Sequence, residues 1–90
     1  MMRKVVTSTA FKKDLKRARK RGQDLSKLGK ITSLLEQDAP LPWRCHDHFL
    51  VGNWSSHREC HIELDCLLIY RLEEDMLILD RTGSHADLFG

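Results

Sequence analysis

The hydrophobic period of this 90-residue chain changes once, around Pro40-Leu41-Pro42, and that change restricts the fold more than any other feature. Ahead of it, apolar residues recur at helical spacing. Phe11, Leu15 and Ala18 fall at i, i+4 and i+7, and Leu25, Leu28, Ile31, Leu34 and Leu35 form a second stripe. Ser8 or Thr9 is placed to cap the first helix, Gly22 to end it, and Asp24 to cap the second. From about residue 48 the pattern becomes strand-like. His61-Ile62-Glu63-Leu64-Asp65 alternates, which predicts Ile62 and Leu64 toward the core and His61, Glu63 and Asp65 on the other side. Residues 66–71 form a nearly continuous apolar run, expected of a central strand covered on both faces. Glu73-Glu74-Asp75 is a polar turn of hairpin length, and residues 76–81 return as another strand. Val5, Val6 and Thr7 mark a short strand before the helices, and Ser84-x-x-Asp87 is a capping box for a final turn of helix. The expected fold is α+β, one domain over residues 1–90, with two N-terminal helices packed on a small antiparallel sheet.

Charge divides the chain near the same place. The formal total is +2, yet residues 1–30 sum to +9 and residues 31–90 to −7. Most of the excess lies on the first helix, as Lys12, Lys13, Lys16, Arg17, Arg19, Lys20 and Arg21 around a thin apolar stripe. Such asymmetry points to a polyanion or an acidic partner. Several classes are excluded. No apolar run approaches the roughly 20 residues of a membrane span, and no apolar core of a secretory signal follows the N-terminal positive charge. Cys45, Cys60 and Cys66 are odd in number and lack CxxC spacing, which fits reduced thiols in a cytoplasmic protein.

All five histidines, His46, His48, His57, His61 and His85, follow residue 45. Such a set suits either metal binding or proton transfer near neutral pH. For zinc, His46-x-His48 and His57-x-x-x-His61 have usable spacings beside Cys45 and Cys60. However, an i, i+4 pair converges only on a helix, and strand parity separates Cys60 from His61. For metal-free chemistry, a sheet face of His, Asp and Arg matches what RNA cleavage by its own 2′-OH requires. One group removes a proton, one protonates the leaving oxygen, and a cation steadies the crowded phosphorane. Arg58, Arg71 and Arg81 supply forked, permanently charged phosphate ligands. On a straight strand His61 and Asp65 stand about 13 Å apart, so direct pairing requires a bend near residue 65. The same residues also suit ordinary solvated sheet positions.

Three blocks in order carry a resemblance: Asp47-His48-x-Leu50-x-Gly52-x-Trp54; Arg58-Glu59-Cys60-His61-Ile62-x-x-Asp65-x-Leu67-Leu68-Ile69-Tyr70; and Arg81-Thr82-Gly83-Ser84-His85-Ala86-Asp87-Leu88-Phe89. Together they resemble the YafQ-type toxins of bacterial toxin–antitoxin modules, within the wider RelE/ParE superfamily, over essentially the whole chain. The resemblance implies a fold similar to small microbial ribonucleases and a cytoplasmic endoribonuclease. Such an enzyme cleaves mRNA in the ribosomal A site with no cofactor and inhibits translation until a cognate antitoxin neutralises it. It places the active-site histidines and aspartate on His48, His61, Asp65 and His85, and the C-terminal aromatic on Phe89. Position 64 is Leu where relatives often carry Pro, so proline does not supply the bend there.

Within that reading His61 or His48 is the general base and His85 the leading candidate for general acid. Asp65 orients a histidine or acts as a base. Arg81 and Arg58 stabilise phosphate, while Phe89 and Trp54 position a base. The seven cations from Lys12 to Arg21 hold ribosomal RNA through its phosphates. The expected partners are the antitoxin, the ribosome with its mRNA, and operator DNA only through the antitoxin complex. The rival readings are a non-catalytic gyrase-binding toxin of the ParE kind and a small zinc-dependent nucleic-acid-binding protein.

Overall fold

A computed structural model describes residues 2–42, the backbone of 48–49, and residues 57–63 and 65–89. The elements run β1 (Lys4–Thr7), α1 (Thr9–Lys20), α2 (Ser26–Glu36), β2 (His48–Phe49), β3 (Arg58–Glu63), β4 (Cys66–Leu72), β5 (Met76–Gly83) and α3 (His85–Phe89). Ser8 is the N-cap of α1, its Oγ accepting from the Phe11 N–H at 3.0 Å. Gly22 takes φ +73°, the left-handed conformation that lets the chain leave the helix. At α2 the cap position falls on Leu25 rather than Asp24. Asp24 Oδ1 still accepts the Ser26 N–H at 2.9 Å, so the carboxylate satisfies a helix-start donor from one residue further out.

The sheet order is β1-β5-β4-β3-β2. The expected all-antiparallel sheet is corrected at one edge: β1 runs parallel to β5, pairing Lys4 through Thr7 with Met76 through Leu79. The physical reason is the connection. The whole helical layer and the other strands intervene between the two strands, so no hairpin dictates their relative direction. The other pairs are antiparallel. β4 is central, with Leu67, Leu68, Ile69 and Tyr70 fully buried, as its unbroken apolar run requires. Phe11, Leu28, Ile31 and Leu35 of the helices pack with Cys60, Leu68, Tyr70, Leu77 and Leu79 to make the core. Alternation then assigns Glu59 and His61 to the face away from the helices.

Two irregularities interrupt the ladders. The β3–β4 register slips between His61 and Glu63. The β4–β5 register slips between the pairs Ile69–Arg81 and Tyr70–Leu79, so that Asp80 is an extra residue in β5. Without that residue Arg81 would share the parity of Leu79; with it, Arg81 stands opposite Ile69. Among the described residues no helix is long and apolar enough to cross a membrane.

Candidate active site

The expected bend near residue 65 is present as the turn between two strands. β3 stops at Glu63, Asp65 lies in a turn, and β4 begins at Cys66. Asp65 Oδ1 thereby comes within 3.4 Å of the His85 N–H and 3.7 Å of His85 Nδ1. His85 is the first residue of α3, and its ring lies 6.0 Å from the ring of His61, tilted by 52°. Phe89, one helical turn later, has its ring 6.1 Å from that of His85. Thus β3, the following turn and α3 bring His61, Asp65, His85 and Phe89 together. The His85 and Asp65 side chains are 56% and 71% exposed, open to a ligand as large as a nucleic acid.

The His61 ring is held from behind. Its Nε2 lies 3.1 Å from Oε1 of Glu59, whose side chain is buried and shares the strand face at i, i+2. A neutral imidazole donating from Nε2 would present Nδ1 as its acceptor. A second pair, His57 Nε2 and Asp80 Oδ2, meets at 2.6 Å, close but outside the angles of a hydrogen bond. This contact lies between the start of β3 and the extra residue of β5. The backbone of His48 stands opposite Glu59 in the β2–β3 pair. Trp54 lies outside the described residues, as do His46 and Cys45.

Among the proposed phosphate ligands, Arg81 is tied to Asp14 of α1, through Nε at 2.7 Å and Nη2 at 3.1 Å. Asp14 is 3% exposed, and it also takes the Thr82 N–H at 3.1 Å and Arg17 Nη2 at 3.0 Å. It sits where β1 has ended and the edge of β5 is open, which is why Thr82 has a donor to give. Arg81 keeps Nη1 beyond these two bonds, and the carboxylate raises its pKa further. Arg58 is not brought to this side: its register with Tyr70 gives it the parity of Cys60, opposite to His61.

The basic helix divides into two groups. Lys12, Lys13, Lys16, Arg19 and Lys20 are exposed. Arg17 and Arg21 instead turn to Asp87 of α3, Arg21 with both terminal nitrogens, at 2.9 and 3.3 Å. These bonds, with the Ser84 N–H at 3.0 Å, hold the Asp87 carboxyl well below the usual carboxylate range. Sequence reasoning missed Glu59, Asp14 and Asp87 as site-building residues. For Asp14 the signal was available: it is an acid on the buried stripe of an otherwise basic helix. Cys66 behaves as a packing residue, since burial pushes its thiol pKa up. Among the described residues no three His, Cys, Asp or Glu side chains are grouped to hold a metal ion.

The sequence and fold match those of known proteins. Residues 3–90 match the family model for the bacterial toxin of type II toxin–antitoxin systems, YafQ. The mRNA interferase toxin YafQ of Escherichia coli K12 is 42% identical, aligned over 100% of this chain and 99% of that protein. The crystal structure of YafQ from E. coli BL21(DE3) superposes with a TM-score of 0.92 at 42% identity, covering 98% and 99% of the two chains. YafQ in the E. coli DinJ–YafQ toxin–antitoxin complex gives 0.91 at 42% identity, with both chains fully covered. The α+β fold is therefore that of a bacterial toxin. The chain belongs to the YafQ family of type II toxin–antitoxin systems.

Proposed function

We propose that the protein is a cytoplasmic, ribosome-dependent endoribonuclease that cleaves mRNA in the ribosomal A site and is silenced by an antitoxin. The observation that supports this reading most directly is the convergence of His61, Asp65 and His85, three titratable groups from separate elements, on one exposed face beside Phe89. The mRNA interferase activity named for the E. coli relative agrees with it.

The chemistry follows from what the groups can carry. A base, His61 or His48, takes the 2′-OH proton of the nucleotide before the scissile bond. The resulting oxyanion attacks the adjacent phosphorus while the bond to the 5′-oxygen breaks. That oxygen receives a proton from His85, leaving a 2′,3′-cyclic phosphate and a 5′-hydroxyl. Glu59 keeps His61 in one orientation, and Asp65 does the same for His85 through its Nδ1 and main-chain N–H. Arg81, anchored by Asp14, supplies a fixed positive charge toward the phosphorane. Phe89 offers a ring on which a base can stack. The exposed cations of α1 hold ribosomal RNA by its phosphates, which gives affinity without sequence readout and strong salt dependence.

An acidic antitoxin segment that folds on the toxin fits the same charge distribution, and operator binding would come through the antitoxin. The test is cleavage of mRNA on programmed ribosomes in the presence of EDTA by the purified toxin. Cleavage by the unaltered protein, with loss in His61→Ala, Asp65→Ala and His85→Ala, is the expected result. Full activity in all three variants, or inhibition of DNA supercoiling in place of translation, overturns the proposal.

A further inference from the structure

α3 carries His85 and Phe89, yet it is only five residues long and has no buried residue. A helix without a core face is not held by hydrophobic packing, and one this short is not stable by itself. What places it is polar. Asp87 and Ser84 close a reciprocal capping box, Ser84 N–H to Asp87 Oδ2 at 3.0 Å and Asp87 N–H to Ser84 Oγ at 3.1 Å. The Asp87 carboxylate is then gripped by the Arg21 guanidinium in a two-point bond, with Arg17 Nη2 3.7 Å away. Arg17 also bonds Asp14, so the chain of contacts runs from β5 through α1 to α3.

The chain backbone is fitted to this arrangement. At Gly83, φ is +152°, and a Cβ there would lie 3.0 Å from Asp87 Oδ2 and 3.1 Å from Arg17 Nη2. On a helix His85 and Phe89 share one side, whereas Asp87, two residues from each, faces away from them. One side of α3 therefore meets the chemistry and the other meets α1.

From this we infer that Arg21, together with Asp87, is a positioning pair for catalysis: it locks α3 so that His85 stays beside Asp65 and His61. Although it belongs to the basic helix, Arg21 acts through Asp87 and not on RNA phosphates. The inference rests on the endoribonuclease reading and deepens it.

A double-mutant cycle over Arg21→Gln and Asp87→Asn tests it, with cleavage on programmed ribosomes and imidazole NMR signals of His85 read in parallel. Arg21 is exposed, so its replacement leaves the core intact, and Asp87→Asn keeps an oxygen for the Ser84 cap. Each single change is expected to lower the rate at saturating ribosome by about tenfold, the scale of a small misplacement of a reacting group. The double variant should lose no more than either single one, the KM for ribosomes should be unaltered, and Arg21→Lys should recover part of the rate. His85 signals should shift alike in both single variants.

Additive losses, or an Arg21→Gln defect confined to KM and exaggerated by salt, overturn the inference in favour of direct RNA contact. If the unaltered protein does not cleave, the functional reading fails separately. The pair is then judged by NMR alone: equal His85 shifts sustain it, and unchanged shifts refute it.

Discussion

Replacing Asp14 by Asn removes a charge that joins α1, the open edge of β5 and the arginines beside it. Asp14 is 3% exposed and accepts from Arg81 twice, from Arg17 and from the Thr82 main chain. Breaking a wholly buried pair typically costs about 3–5 kcal/mol, because the remaining charge is stranded. Here Arg81 and Arg17 retain 26% and 35% exposure, so water compensates part of the loss. The expected destabilisation is therefore about 2–3 kcal/mol. For a domain of this size that corresponds to a fall in Tm of roughly 10–20 °C. Urea and thermal unfolding followed by circular dichroism measure it. Adding Arg81→Met to Asp14→Asn should cost much less than Arg81→Met does in the unaltered protein, since the arginine's partner is already gone. A loss below about 0.5 kcal/mol, or full additivity, would show that Asp14 does not anchor Arg81.

Four further outcomes are expected. His85→Ala should slow mRNA cleavage by at least about a hundredfold, the usual value of a positioned acid or base, with an unchanged circular dichroism spectrum; an undiminished rate would remove His85 from the mechanism. Gly83→Ala should cost about 1–3 kcal/mol, because alanine rarely adopts φ +152° and its Cβ meets Asp87 and Arg17; a neutral result in a denaturant titration would contradict the close approach. Leu68→Ala, at a fully buried position of β4, should cost about 2–5 kcal/mol by the same measurement. The Asp87 carboxyl is held low by its bonds to Arg21 and the Ser84 N–H, so it binds a proton more weakly folded than unfolded. Its stabilisation is complete above the ordinary carboxylate pKa of about 4 and declines as pH falls below it. The stability gap between the unaltered protein and Asp87→Asn should accordingly shrink in acid; a gap that is constant from pH 7 to pH 3 would be inconsistent with the ion pair.

Much of the architecture is local and so was readable from the residues. Both helices and the strands as elements followed from where the apolar residues recur, since burial of one stripe or one face imposes period 3.6 or 2. Residues 66–71 announced a central strand because a strand covered on both faces has no polar positions. The Ser8 and Ser84 caps and the turn at Gly22 depend on single residues and their neighbours, and they also were legible. The candidate site residues His61, Asp65 and His85 could be named from their types and from three motif blocks.

What the chain pattern did not contain were relations between distant segments. The parallel pairing of β1 with β5 depends on how the intervening layer folds back, not on either strand's sequence. Likewise, the approach of Asp65 to His85 depends on where β3 ends, and the standing of Arg81 opposite Ile69 depends on one extra residue in β5. Neither has a periodic signature. The charges show the difference most plainly. Sequence summation treated all seven cations of the first helix alike, and Lys12, Lys13, Lys16, Arg19 and Lys20 do remain exposed. Tertiary structure separated out Arg17 and Arg21 by placing Asp87 against them, 66 positions along the chain from Arg21. Composition and spacing determine how much charge a segment carries and which side of a helix it occupies. Which of those charges is paired within the fold, and which remains exposed, is decided only when folding brings two remote segments within a few ångströms, because electrostatic contacts depend on distance in space.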